Sequence, residues 1–331
     1  MIVLGIESTA HTFGIGIIRA LRGKCTVLAN ERMAFSTEEG GMIPSKVAQF
    51  HIDNCDTVLT AALKKANIDI NDVDCISYSQ SPGIGHCLRI GAVFARTLAV
   101  KLDKPLIGVN HCIAHLEIGR AMTNAKDPVL LYVSGANTQI IAYEGKRYRI
   151  IGEALDGGIG NFLDTLGRLL GLGFPGGPKV DMLARKGKNY IELPYSVKGM
   201  DVSFAGILTN LKKKINSGEH TKEDLCYSTQ ETVFAMVIEV AERAMAHCGK
   251  KELLLGGGVA CNKRLQEMAT IMCKERDARC FILPNELNVD NGAMIAWLGY
   301  EMYHAKGKGI SVKNADIQPY VRTDEVDVFW R

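Results

Sequence analysis

Residues 109–116 read Val-Asn-His-Cys-Ile-Ala-His-Leu, and in this nearly apolar run His111 and His115 stand four residues apart. On a helix that spacing puts both side chains on one face, with Cβ atoms roughly 5–6 Å apart, so two imidazoles can share one metal ion. The plainer alternative is two histidines satisfied in a core or at the surface; a pair at a strand-to-helix junction favours the metal. Zinc peptidases with this spacing carry Glu directly after the first histidine as general base. Here that position is Cys112, which counts against peptide hydrolysis. Two histidines need a third ligand. Asp290 follows an expected strand where a helix begins, which makes it a candidate and equally a candidate N-cap. Asp164 and Asp181 are further carboxylates, with plainer readings as a first-turn helix charge and a solvated residue.

Two hairpins carry small residues at their turns, LGIEST near the start and LLYVSGANTQ at 130–139. Small turn residues let backbone N–H groups approach phosphate oxygens, although any hairpin favours them. Two copies in equivalent places favour a nucleotide. GGGVACNKR follows a strand and opens a helix, a geometry that points N–H groups at an anion or brings the chain close to a base. It is no Walker loop, because no Gly-Lys-Ser/Thr follows. GLGFPG at 171–176 matches GxGxxG in letters only: it follows a helix and contains Pro175. The LKKK run at 211–214 reads as a solvated helix face.

The elements that must position these residues repeat. Residues 1–19 read as strand, turn, strand, with a third strand over 26–34. A helix spans 44–66, with Val47, Phe50, Val58, Leu59 and Leu63 at helical spacing. A strand (CISYSQS), a helix (RIGAVFARTLAVKL), a strand (PLIGVN) and a helix (CIAHLEIGRAM) follow. From Pro128 the order begins again: hairpin, third strand (YRIIGEAL), helices over 161–172 and 232–248, then strand, glycine loop, helix, strand (RCFILPN) and helix (NGAMIAWLGYEMYH). Such a repeat decides architecture. The expected fold class is α/β with two lobes, 1–125 and 126–331, each a mixed sheet flanked by helices, the last helix packing back on the first lobe and the active site in the cleft between them.

The chain has 331 residues, 47% of them hydrophobic, which is ordinary for a water-soluble globular protein. No apolar run is long enough to span a bilayer, so no membrane partner is expected. Ten scattered cysteines without CxxC spacing suit a reducing compartment, and a cytoplasmic location is expected. A net charge of +3 permits a nucleic-acid partner without demanding one.

Taken together, GIESTAHTFGIGI, SPGIGHCLRIG, GVNHCIAH, LYVSGANTQ, GLGFPGGPKV, LPYSVKGMD, GGGVACNKRL, DNGAMIA and RTDEVDVFW resemble, in order and over nearly the whole chain, the tRNA N6-adenosine threonylcarbamoyltransferase family in its archaeal and eukaryotic branch. The resemblance implies an actin/Hsp70/sugar-kinase-like fold. It implies transfer of a threonylcarbamoyl group from threonylcarbamoyl-AMP to N6 of the adenosine 3′ of the anticodon in tRNAs reading codons that start with A. It puts the metal ligands on His111, His115 and Asp290, with Tyr132 as a further ligand directly or through the substrate. It puts the substrate pocket on Tyr132, Val133, Ser134, Gly135, Ala136, Asp164, Gly177, Asp181 and Asn262, a site that ATP or AMP would share with the donor. The implied partners are tRNA and the subunits of the KEOPS complex: a small atypical protein kinase or ATPase, a dimerising subunit and an accessory subunit. Ala136 and Gly157 stand where Gly and Ile are usual, His86 and Cys87 replace plainer residues, and Ala205 replaces a serine, so substrate fit near Ala136 is where departure from the family would be felt.

The chemistry expected of such a site needs no serine or cysteine nucleophile. The mixed anhydride is already activated, and the protein must orient an amine against its carbonyl and stabilise developing charge. Two imidazoles and a carboxylate suit one divalent ion, Zn²⁺ or Fe²⁺. An ATPase or phosphotransferase on the same fold has no use for the histidine pair, a metallopeptidase lacks its glutamate, and a scaffold subunit that binds tRNA without turnover remains a fourth reading.

Overall fold

The computed structural model describes residues 1–38 and 42–331. The first half runs β1 (Ile2–Glu7), β2 (Thr12–Leu21), β3 (Lys24–Ala34), α1 (Pro44–Ala66), β4 (Cys75–Ser81), α2 (Gly85–Leu102), β5 (Leu106–Asn110) and α3 (His111–Met122). The second runs β6 (Val129–Val133), β7 (Thr138–Glu144), β8 (Arg147–Glu153), α4 (Ile159–Leu169), α5 (Gly177–Ala184), the short hairpin β9 (Val197–Lys198) and β10 (Asp201–Val202), α6 (Ala205–Ser217), α7 (Lys222–His247), β11 (Glu252–Gly256), α8 (Lys263–Glu275), β12 (Arg279–Ile282), α9 (Asn285–Asn288) and α10 (Gly292–Lys306).

The strands form two five-stranded sheets, ordered β3-β2-β1-β4-β5 and β12-β11-β6-β7-β8. In both, an antiparallel trio is followed by parallel strands: β1 pairs antiparallel with β2 and parallel with β4, while β6 pairs antiparallel with β7 and parallel with β11. The central strands β1, β6 and β11 and the covered edge strand β5 are buried on both faces, which is why they read as apolar runs without alternation.

Each sheet has its own core, and a third apolar cluster lies between them. Val3, Ile113, Leu116, Leu130, Tyr132, Leu254, Met294 and Leu298 belong to this middle cluster, drawn from α3, α10 and both sheets. Helix α10 lies directly on the first hairpin. Gly5 and Gly16 face each other across β1 and β2. A methyl group added at Gly16 would fall 2.0 Å from the backbone nitrogen of Ala293, and one at Gly292 would fall 2.0 Å from the nitrogen of Gly16. Only hydrogens fit where helix backbone touches strand backbone.

Several boundaries differ from expectation. The helix expected at 161–172 covers Ile159–Leu169, and the one expected at 232–248 begins ten residues earlier at Lys222. Helix α5 was not expected, because Gly-Pro opens it, while α6 carries the LKKK run read as a solvated helix face and extends from Ala205 to Ser217.

Candidate metal centre and donor groove

Asn110 sets the geometry of the centre. As N-cap of α3 its side-chain oxygen accepts a hydrogen bond from Ile113 N–H at 3.1 Å, so the helix starts at His111 and places His115 one turn on. The two imidazole centroids are 4.8 Å apart and nearly perpendicular. Asp290 arrives from the loop before α10. Its Oδ1 is 3.3 Å from His111 Nε2 and 3.5 Å from His115 Nε2. The three potential ligand atoms lie within 4.8 Å of one another. The expected alternative for Asp290 does not hold: the N-cap of α10 is Asn291, whose side chain accepts from Met294 N–H at 3.0 Å, leaving the aspartate free to face the histidines.

The residues fit a metal ion. Ligands on one tetrahedral ion at about 2.0–2.2 Å stand roughly 3.4 Å apart, close to the two distances from Asp290 to the histidine nitrogens. His115 is fully buried, and neither ring nitrogen has a hydrogen-bond partner. Such orphaned groups are rare in protein interiors and call for a partner. The side chains are more enclosed than a cleft-facing site suggests, with His111 4% exposed and His115 0%.

A fourth residue was not anticipated. Glu7, wholly buried at the end of β1, has Oε2 2.9 Å from His111 Nδ1, and its Oε1 accepts from the backbone N–H of Thr9 at 2.7 Å and from the Thr9 hydroxyl. The signal was present in the sequence as a lone glutamate closing an apolar strand, a residue type almost never fully buried without a partner.

The charges reinforce each other. Burial works to lower His111, but the Glu7 and Asp290 carboxylates outweigh it and hold the imidazole well above its ordinary range. Burial lowers His115. Burial opposes ionisation of Asp290, and the two histidines overcome it, keeping the carboxyl well below its usual value. The Tyr132 ring lies 5.1 Å from His115 and 6.4 Å from His111, and burial raises its phenol. The Cys112 thiol is also buried and raised, so it is no nucleophile.

The remaining expected site residues fall into a second group in the second lobe. Ser134, Gly135 and Ala136 form the turn between β6 and β7, with Gly135 and Ala136 exposed at its tip. The carbonyls of Ser134 and Gly135 accept from Gly160 and Asn161 N–H at 3.0 and 2.8 Å, which locks the turn onto the start of α4. Val133 is buried in β6. Asp164 is in the middle of α4 and not in its first turn; its carboxylate accepts from Gly176 and Gly177 N–H at 2.7 and 3.0 Å. Asp181 is paired with Arg185 at 2.7 Å and accepts from Asn262 Nδ2 at 3.1 Å, so it is not merely solvated. Asn262 caps α8 through its Oδ1, accepting from Arg264 and Leu265 N–H, so this helix start is satisfied from within. Its amide nitrogen also donates to Gln230. Asp181, Gln230, Tyr227, Lys263 and Arg264 line an open groove of about 510 Å³. Gly256, which opens the loop leading to Asn262, packs against His115 and so links groove and centre.

Two lobes of repeated topology with ligands converging between them define a member of the actin/Hsp70/sugar-kinase class. Solved structures agree on the fold: the Thermococcus kodakarensis HypF structure superposes with a TM-score of 0.61 at 16% identity over 92% of this chain and 48% of that one. Component A of the (R)-2-hydroxyglutaryl-CoA dehydratase of Acidaminococcus fermentans gives 0.59 at 15% identity over 92% and 99%. Sequence narrows the class. Residues 26–297 match the model of the tRNA N6-adenosine threonylcarbamoyltransferase family. Relatives bearing that name are 52% identical in Thermococcus kodakarensis, over the full length of both chains, and 48% identical in Danio rerio, over 100% of this chain and 99% of the relative. The chain belongs to this family of transferases.

Proposed function

We propose that the protein transfers the threonylcarbamoyl group of threonylcarbamoyl-AMP to N6 of the adenosine 3′ of the anticodon in tRNAs that read codons starting with A. The observation that carries the reading is the convergence of His111, His115 and Asp290 from both halves of the chain onto one point, where His115 makes no hydrogen bond among the described residues. These three side chains would hold one Zn²⁺ or Fe²⁺ ion, with Tyr132 beside them. Such an ion, when bound, polarises a carbonyl or grips the threonyl hydroxyl and carboxylate.

The chain's own groups supply binding and orientation. The groove lined by Asp181, Gln230 and Lys263 would receive the nucleoside half of the donor, and the turn at 134–136 its phosphate. In the transfer, the exocyclic amine forms a C–N bond to the carbamoyl carbon, the C–O bond to the phosphate breaks, AMP leaves with the electron pair, and the amine proton passes to solvent. Alignment of amine and carbonyl is the main task left to the protein. An ATPase on the same fold would leave the histidine cluster without a role.

We further propose that the chain works in the cytoplasm within the KEOPS complex. Among the described residues no helix is long and apolar enough to cross a membrane. Incubating the chain with threonylcarbamoyl-AMP and unmodified tRNA, with and without partner subunits, and analysing digested tRNA by mass spectrometry tests both proposals. Modified adenosine at the position 3′ of the anticodon is expected, with strong stimulation by the partners. No modified nucleoside under any combination would overturn the function.

A further inference from the structure

We propose that Glu7 is a positioning residue of the metal centre, holding His111 so that Nε2 faces the cation and tying the first hairpin to that cation; this rests on reading His111, His115 and Asp290 as its ligands. Glu7 is 0% exposed and no lysine or arginine bonds to it. Its two oxygens are divided between two tasks. Oε2 takes the Nδ1–H of His111 at 2.9 Å, which reserves Nε2 for the cation, whose binding would displace any proton there, and directs that nitrogen to within 3.3 Å of Asp290. Oε1 takes the N–H and hydroxyl of Thr9, so the same carboxylate fixes the turn of the β1–β2 hairpin. The Thr9 hydroxyl lies 3.3 Å from the same His111 nitrogen, and Thr9 O accepts from Ile84 N–H at 2.8 Å, joining the turn to the start of α2.

The contrast with the second histidine sharpens the inference. His115 has no carboxylate behind it and no hydrogen bond at either nitrogen. Its ring lies 5.1 Å from that of Tyr132. Among the described residues, only His111 of the two imidazoles has a carboxylate at Nδ1. Carboxylates behind metal-bound histidines typically contribute 10- to 100-fold in metal affinity.

The test uses the full chain stripped of metal. Zn²⁺ affinity is measured by competition with a chromophoric chelator, and Co²⁺ binding by its visible absorption, for wild type, Glu7→Gln and Glu7→Ala, with thermal unfolding of each metal-free protein. Glu7→Gln keeps the shape and an acceptor oxygen and loses the charge; it should weaken Zn²⁺ binding by about 10-fold, and Glu7→Ala by about 100-fold. Both should shift the Co²⁺ spectrum, while His115→Ala abolishes it. If Glu7→Gln keeps wild-type affinity and spectrum, the inference is overturned, whatever its melting temperature does; a glutamate serving only the fold would lower that temperature and leave the affinity alone. If wild type binds neither Zn²⁺ nor Co²⁺, the metal reading itself falls, and that outcome is distinct from equal binding by wild type and variant.

Discussion

Replacing His115 by alanine removes a ring that bonds to nothing in the protein, so its loss should be felt chiefly through the metal. His111→Ala, His115→Ala and Asp290→Ala should each lower metal content and reduce transfer by roughly 100-fold or more, the scale of a few kcal/mol of charge stabilisation. Elemental analysis paired with the tRNA assay reads both; full metal and full activity in the double histidine variant would show the pair to be structural. Circular dichroism should show the fold retained, with a modest loss of melting temperature because the rings are buried. Asp164 behaves differently from what its position in sequence suggests. Its carboxylate bonds two backbone N–H groups that open α5, and Asp164→Ala leaves both unpaired, at about 1–3 kcal/mol. Asp164→Ala should therefore melt earlier as well as raise the apparent KM for the adenylate, and Asp164→Asn should recover most of the stability. The proximity of His111 and His115 was legible because spacing on one helix encodes it. Glu7 was not, because it meets His111 only once β1 and β5 lie in one sheet.

Among the elements, strands and their order were readable from apolar runs, since buried central strands have no competing pattern. The first ten residues of α7 were missed because all but Leu225, Cys226 and Tyr227 are polar, although Thr221 and Asp224 at its start carry a capping signature, with the threonine hydroxyl accepting from Asp224 N–H. The last helix was expected to pack back on the first lobe, but its seat on Gly5 and Gly16 was not readable in sequence, and that seat fixes where Asp290 lies. Gly16→Ala forces a methyl into helix backbone and should destabilise the protein by about 1–3 kcal/mol, while also weakening metal binding by moving Asp290. A variant of normal melting temperature and metal affinity would show that the helix can shift freely. Helix α1 offers a pH test. His51 is fully buried beside Phe13 and Phe50, and burial, helped by nearby His11, pushes it from 6.5 down to about 4. The unfolded chain takes up this proton first, so stability should fall as pH drops from about 6.5 to about 4, and His51→Leu should flatten that part of the profile. Chemical denaturation at several pH values checks the sign.

At the scale of the molecule the charge is nearly balanced, and binding of tRNA depends on where the lysines stand. Lys212 and Lys213 on α6 are exposed, as are Lys186 and Lys188, whereas Arg185 is engaged by Asp181. Affinity for tRNA should fall steeply with salt and vary little with sequence outside the modified position. Filter binding that is flat between low and physiological salt would contradict this. With a net charge of only +3, the isolated chain should turn over slowly and depend on partners for its hold on tRNA. Efficient multiple turnover by the chain alone would contradict the proposal. The lobes themselves are held by more than the middle core: Thr37 and Phe174 exchange backbone hydrogen bonds at 3.2 and 3.0 Å across them.

The seat of α10 on the first hairpin bears on how the protein is made. Strands β1 and β2 leave the ribosome about 270 residues before the helix that covers their glycines, counting from Leu21 to Gly292. At about 5–20 residues per second, the first sheet waits roughly half a minute with one face open. During that interval His111 and His115 have been synthesised but Asp290 has not, so an ion held by all three could be captured only after residue 290 has emerged. Nascent chains arrested before residue 290 should be cut by protease within the first hairpin, and those released after residue 306 should not. A cell short of metal would then accumulate finished, folded and empty protein, not stalled intermediates.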